Sequence, residues 1–298
     1  MTNAVELHQV RYRASRTFEI GNLDLNVRSG SIYGFLGPNG SGKTTTMRLA
    51  LGLLRPLSGR ITVLGDEIPA NAPRVLARVG YVPEQPHLDP TLTVRESLRF
   101  QAAFYATWDW PRAEQLLRQF DLEERNTFGR LSKGQKGKLM TLLALAQRPE
   151  LLVLDEPTDG LDPVVRRDVL SALLDYVSQH QATVFISSHL VHELERICDW
   201  IGVMDNGRLI TEVPMDRFKN GIKRLRVADA PPTVADAPFV ILARERANGR
   251  VETWVVRDWE PAMAAYFETV GAALNDVIDL DLEEGFVELL RTFRAPRG

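Results

Sequence analysis

One stretch constrains this chain more than any other. Ser31-Ile32-Tyr33-Gly34-Phe35-Leu36 is a short apolar run that enters Gly37-Pro38-Asn39-Gly40-Ser41-Gly42-Lys43-Thr44, and Thr45 to Leu54 then carries a helical pattern. A buried strand, a glycine loop and a helix in that order make one local unit. The glycines let the backbone turn sharply and approach a ligand closely, and Gly37, Gly40 and Gly42 are expected at positive φ. The eight residues from Gly37 to Thr44 match the pattern of a phosphate-binding loop. In such a loop, backbone N–H groups and the start of the helix form a nest for phosphate oxygens. Lys43 places a positive charge on the outer phosphates, and the Thr44 hydroxyl suits Mg²⁺.

The strands that such a unit needs are present downstream. Leu151 to Leu154 is apolar throughout and ends at Asp155-Glu156. A carboxylate at that strand end can hold the shell of a Mg²⁺ ion. A second carboxylate beside the outer phosphate can orient or deprotonate water, a contribution of about 10²–10⁴-fold. Alone, the pair would read as an ordinary acidic turn; the phosphate loop upstream changes that reading. Thr183 to Ser187 is another strand, and Val164 to Gln179 and Val191 to Cys198 read as helices. Ile201 to Met204 and Arg208 to Val213 flank Asp205-Asn206-Gly207, a hairpin signal. Strands alternating with helices argue for an α/β fold.

Between them, Pro83-Glu84-Gln85-Pro86-His87-Leu88-Asp89-Pro90 holds three prolines and cannot be a regular element, so it reads as a hinge. Thr93 to Glu150 is helical in pattern, with Asp109 as an N-cap and Pro111 in the first turn of a helix ending at Gln119. Beyond Met215 the texture changes. Proline-bearing linkers at 228–232 and 235–238 precede an antiparallel pair, Phe239 to Arg244 and Arg250 to Val256, turning at Ala247-Asn248-Gly249. Helices follow over Trp259 to Thr269 and Leu282 to Phe293, making a small α+β region.

Composition removes several classes. A net charge of −3 gives no bulk electrostatic case for nucleic acid. Cys198 is the single cysteine, so no intrachain disulfide exists, which suits a reducing compartment. The N-terminus lacks a basic segment followed by an apolar run, and no signal peptide is expected. The apolar run Leu139 to Ala146 is too short to cross a bilayer, so any membrane part would be another chain's. His192 follows His189 by three residues without a third ligand, and His8, His87 and His180 read as surface or turn residues. Trp108 and Trp110 read as packing anchors and Cys198 as a small core residue.

With Leu131-Ser132-Lys133-Gly134-Gln135 added, the sequence resembles the nucleotide-binding subunits of ATP-binding-cassette (ABC) transporters over about residues 4–214. Gly37 to Thr44 matches the Walker A motif, and Leu151 to Glu156 matches Walker B with its catalytic glutamate. Leu131 to Gln135 resembles the signature, Gly160-Leu161-Asp162-Pro163 the D-loop, and His189 the switch histidine.

The resemblance implies a P-loop NTPase core with antiparallel β and helical subdomains within 1–214, the helical one at about 92–150. An accessory domain would span 215–298. It implies ATP and Mg²⁺ as cofactors. The nucleotide would meet Tyr12 by stacking on adenine, the loop from Gly37 through Pro38, Asn39, Gly40, Ser41, Gly42, Lys43 and Thr44 to Thr45, and Glu84. Asp155, Glu156 and His189 would be catalytic, and Thr44, Asp155 and Glu84 would hold the metal. Ser132 and the backbone of Gly134 would act from the second subunit of a homo- or heterodimer, and Gln135 and Asp162 would also bind the nucleotide. The hinge and terminal Leu282-Glu283-Glu284-Gly285-Phe286-Val287-Glu288-Leu289 resemble ABC-2-type exporter ATPases. Transmembrane permease chains would dock around Glu84–Phe104, at the cytoplasmic face of the membrane, and no nucleic acid is expected.

A soluble ABC ATPase acting on nucleic acid, ribosomes or cofactor assembly is the alternative. Single-cassette length and the lack of zinc-ligand cysteines count against it. Three residues depart from the family pattern: Lys133 replaces a glycine, Glu84 stands at the Q-loop glutamine position, and Asp159 replaces a serine. The Lys133 side chain is expected to point to solvent.

Overall fold

The computed structural model describes residues 2–232, 234, 236–246 and 250–294. They fall into two compact units, one of residues 1–190 and 197–212, the other of 191–196 and 213–298.

The first unit is built on two sheets. A six-stranded sheet has the order β10-β9-β3-β8-β7-β6, from β3 (Ile32–Leu36), β6 (Val79–Val82), β7 (Leu151–Asp155), β8 (Thr183–Ser188), β9 (Trp200–Asp205) and β10 (Arg208–Pro214). β3, β7 and β8 are buried at every residue, as expected of parallel strands covered on both faces. β3 pairs in parallel with β8 and β9, and β7 with β6 and β8. The ends of β3 and β7 therefore lie on one edge, where α/β sheets bind ligands. Asn206 and Gly207, at φ 45° and 72°, form the turn from β9 to β10.

An antiparallel sheet orders β2-β1-β4-β5, from β1 (Asn3–Arg13), β2 (Glu19–Arg28), β4 (Ser58–Val63) and β5 (Asp66–Ile68). Its inward positions alternate, as in Leu23, Leu25 and Val27 of β2. In β1 a bulge at Gln9 (φ 49°) moves the inward phase from Leu7 to Val10.

Between the sheets run α1 (Lys43–Ala50) and α2 (Ala72–Leu76), and α3 (Val94–Ala102), α4 (Trp110–Gln119) and α5 (Lys133–Ala146) form the helical part. Each of those three helices has a side-chain cap. Thr93 and Glu96 close a capping box on α3, Asp109 accepts from Arg112 N on α4, and Ser132 and Gln135 close a box on α5. Trp108 and Trp110 meet edge to face at 5.8 Å. α6 (Pro163–His180) follows β7. His8 and His87 are exposed, His180 stacks on Tyr176 at 4.5 Å, and burial raises the Cys198 thiol well above its ordinary pKa.

The second unit includes α7 (Val191–Glu195) and α8 (Met215–Gly221). Its antiparallel sheet has the order β12-β13-β11-β14, from β11 (Lys223–Ala228), β12 (Val240–Arg246), β13 (Val251–Arg257) and β14 (Ala273–Asp279). α9 (Ala265–Thr269) and α10 (Leu282–Arg294) complete it. Phe239, Trp254, Trp259 and Phe267 form its aromatic core, with Phe239 stacked on Phe267 at 5.8 Å. The turn expected at Ala247-Asn248-Gly249 lies outside the described residues. The single helix expected over Trp259 to Thr269 is shorter, a 3₁₀ turn at Pro261–Ala264 leading into α9. Strands β11 and β14 carried no sequence expectation, and β14 has no consistently buried face.

Among the described residues no helix is long and apolar enough to cross a membrane.

Candidate functional site

The glycine loop leaves β3 and closes on α1. Gly40 and Gly42 take φ 78° and 114°, as expected, but Gly37 does not have positive φ. Gly37 is needed for space instead: a Cβ there would lie 2.3 Å from the Met204 carbonyl oxygen and 2.7 Å from Ser41 Oγ. The β9–β10 hairpin thus backs the loop, and Gly207 N donates to the Ser41 carbonyl at 2.9 Å. Gly42 is the N-cap of α1 and offers no side-chain cap, which leaves the first helical N–H groups facing the loop's hollow. Lys43 is 5 % exposed. Its Nζ donates to the Gly37 and Pro38 carbonyls at 2.6 and 3.3 Å.

A hollow of about 530 Å³ opens over this loop. Its lining includes Asn39 to Thr45, Glu84 and Glu156, together with Phe18 and Arg48, which sequence reasoning missed. Tyr12 is not among the lining residues; near the end of β1 it packs, partly buried, against the core. The aromatic ring at the hollow belongs to Phe18. Both residues lie around the turn between β1 and β2, where sequence spacing alone does not fix which ring faces inward.

At the end of β7, Asp155 is fully buried. Its Oδ1 accepts from Thr44 Oγ1 at 3.0 Å and from Ser187 Oγ at 2.8 Å, and its Oδ2 has no partner. Burial raises the Asp155 pKa above the ordinary carboxyl value, and the two hydroxyl bonds oppose the rise. An orphaned buried carboxylate oxygen beside a threonine hydroxyl fits a Mg²⁺ ion, as does the exposed Glu84 carboxylate. No group of three His, Cys, Asp or Glu side chains placed to hold a metal ion exists among the described residues, consistent with an ion whose remaining ligands are a hydroxyl, water and phosphate.

Glu156 follows in the left-handed region, at φ 48°. Such a backbone costs about 1–3 kcal/mol in a non-glycine residue. Its N–H donates to Ser187 Oγ at 2.9 Å. Its side chain is held from both sides. Oε1 lies 3.1 Å from Lys43 Nζ, a charge contact, and Oε2 accepts from His189 N at 3.2 Å and faces His189 Nδ1 at 2.9 Å. A carboxylate only accepts, so the contact requires the proton on Nδ1.

Ser132, Gly134, Gln135 and Asp162 do not line the hollow. Ser132 Oγ accepts from Gln135 N at 3.2 Å, and Gln135 Oε1 accepts from Ser132 N at 3.0 Å. Asp162 caps α6, its Oδ1 accepting from Val164 and Val165 N at 3.0 and 3.1 Å. Lys133 is largely exposed, as expected, and on the surface its Nζ lies 3.2 Å from Asp159 Oδ2.

The ABC transporter family profile matches residues 20–159, the span from β2 through the strained glutamate. The Nod factor export ATP-binding protein I of Cupriavidus pinatubonensis is 40 % identical over 274 residues, 89 % of this chain and 84 % of that protein. The chain belongs to the ABC transporter family. The bacitracin transport ATP-binding protein BcrA of Bacillus licheniformis is 38 % identical over 202 residues, 67 % of this chain and 66 % of that protein. A solved ATP-binding subunit of an ABC transporter superposes with a TM-score of 0.66 at 29 % identity, covering 73 % of this chain and 92 % of its own. This ABC protein is an ATP-hydrolysing, nucleotide-binding transporter subunit with the P-loop cassette fold, as its sequence implied.

Proposed function

We propose that this subunit drives export through a permease on separate chains, by closing on a second cassette around ATP at the cytoplasmic face of the membrane. The observation that carries the mechanism is Glu156, held between Lys43 and His189. ATP in the loop places its β and γ phosphates against the free N–H groups of α1 and draws Lys43 toward them. Oε1 of Glu156 is then released to take a proton from the attacking water, while His189 keeps Oε2 in place. Thr44, Asp155 and Glu84 would hold Mg²⁺, which supplies charge neutralisation between the phosphates.

Ser132 is suited to act on the second subunit's nucleotide. Its oxygen already accepts the capping N–H, so its own O–H remains to be donated. Gly134 N and Asp162 would lie at the same junction, fixed in advance by the caps of α5 and α6. Preset donors such as the Ser132 O–H and the Gly134 N–H stabilise charge that develops in the transition state.

The case for export rests on the relatives named for Nod factor export and bacitracin transport. The longer of those matches, over 89 % of the chain, extends beyond the cassette. We therefore read residues 215–298 as an accessory domain of the exporter type.

The test is co-purification of tagged Glu156→Gln protein from its host in mild detergent with ATP. The substitution keeps ATP binding, lowers turnover by about 10²–10⁴-fold and holds an ATP-dependent dimer. A stoichiometric polytopic membrane protein is expected in the complex. Undiminished ATPase activity would remove Glu156 from its role, and a soluble partner or nucleic acid without a membrane chain would overturn the transporter assembly.

A further inference from the structure

Two residues that interrupt the family pattern meet in space. Lys133 opens α5, and Asp159 lies in the loop between β7 and α6. Lys133 Nζ stands 3.2 Å from Asp159 Oδ2, and the other oxygen of Asp159 stands 4.0 Å from His189 Nε2. The lysine stem crosses Gly160, where a Cβ would lie 2.2 Å from Nζ and 3.1 Å from Cε. A side chain at residue 160 would therefore expel the lysine from this path.

The contact is the outer end of a close seam. A Cβ on Gly134 would lie 3.2 Å from Val165, and one on Gly137 would lie 3.5 Å from Leu161. Lys138 Nζ pairs with Asp168 at 2.7 Å farther along the same two helices. Close contacts also link Lys43 to Glu156, Glu156 to His189, His189 to Asp159 and Asp159 to Lys133.

We propose that Lys133 and Asp159 form a positioning pair for ATP hydrolysis. The pair fixes where Ser132 stands relative to the Gly160–Pro163 loop of its own chain, and Asp159 links that arrangement to the His189–Glu156 contact. Neither residue lines the hollow over the phosphate loop of its own chain. With side chains 62 % and 44 % exposed, the pair adds little to folding stability. Its effect falls on the geometry presented to the second cassette, and so on turnover. The inference rests on the reading above that Ser132 reaches the nucleotide of a second subunit.

The test uses the full chain with Lys133→Asp, Asp159→Lys and the double exchange. The measurements are kcat, KM for ATP, melting temperature, and ATP-dependent dimerisation in a Glu156→Gln background. Each single reversal is expected to lower kcat about 5-fold, the scale of an exposed charge pair. KM is expected to stay within about twofold and the melting temperature to hold, because the loop that binds ATP is untouched. The exchange restores kcat to within about twofold, since it keeps the attraction and reverses only its direction. Single variants as fast as wild type overturn the proposal, and so does an exchange no faster than the slower single variant. If Glu156→Gln with Lys133 and Asp159 intact forms no ATP-dependent dimer, the second-cassette reading fails and takes this inference with it. Normal dimers with an unrestored exchange sink the pair alone.

Discussion

The phosphate loop and the signature turn are built in opposite ways. The loop is interior: Lys43 is 5 % exposed and bonds to backbone carbonyls, and the β9–β10 hairpin supports Gly37 and Ser41 from behind. The signature turn is exterior, with Ser132 exposed and its hydroxyl oxygen engaged in capping α5. Folding alone completes the first. The second is a fixed presentation of donors that do not line the nucleotide hollow of their own chain. A subunit made this way can bind nucleotide alone and, on the reading proposed here, hydrolyses it efficiently only when a second surface arrives.

Three substitutions break that comparison in graded steps. Lys43→Ala has the largest effect. It removes a buried charge-assisted contact of about 1.5–3 kcal/mol, and ATP affinity measured by equilibrium binding should fall about 10- to 100-fold. Unchanged affinity would end the assignment of the loop. Phe18→Ala comes next. If its ring stacks on the base, about 1–3 kcal/mol of nucleotide binding is lost, while Tyr12→Ala leaves affinity near wild type. The reverse ranking would restore Tyr12 to the role that the family resemblance implied. Ser132→Ala has the smallest effect on the isolated chain. Loss of the cap costs about 0.5–2 kcal/mol of stability by thermal or denaturant unfolding, and ATP affinity of the monomer stays unchanged. A loss of monomer affinity would place the signature turn at its own chain's nucleotide.

The same contrast explains what was legible in the sequence. The phosphate loop, the buried runs of β3, β7 and β8, the Asp109 cap and the Asn206-Gly207 turn each depend on residues adjacent in sequence. Local rules recover them. The contact of Lys133 with Asp159 spans 26 residues, and no periodicity announces it. Both residues stood out as departures from a pattern, but only the fold shows that they face each other. Gly37 was expected at positive φ, whereas its constraint comes from Met204, far along the chain on β9. β1 and β2 did carry an alternating signal in Val5, Leu7, Leu23, Leu25 and Val27; the Gln9 bulge breaks its phase in β1. β14 offered none, because its residues alternate toward no consistently buried face.

The backbone of Glu156 has an evolutionary consequence. At φ 48° a glycine would sit without strain. Glu156→Gly should therefore melt above wild type while hydrolysing almost nothing, and a lower melting temperature would show that the carboxylate's contacts outweigh the strain. Selection for thermostability alone would favour loss of this glutamate, since the conformation that aims the carboxylate is one the chain folds against. Persistence of a glutamate there marks a lineage still selected for turnover.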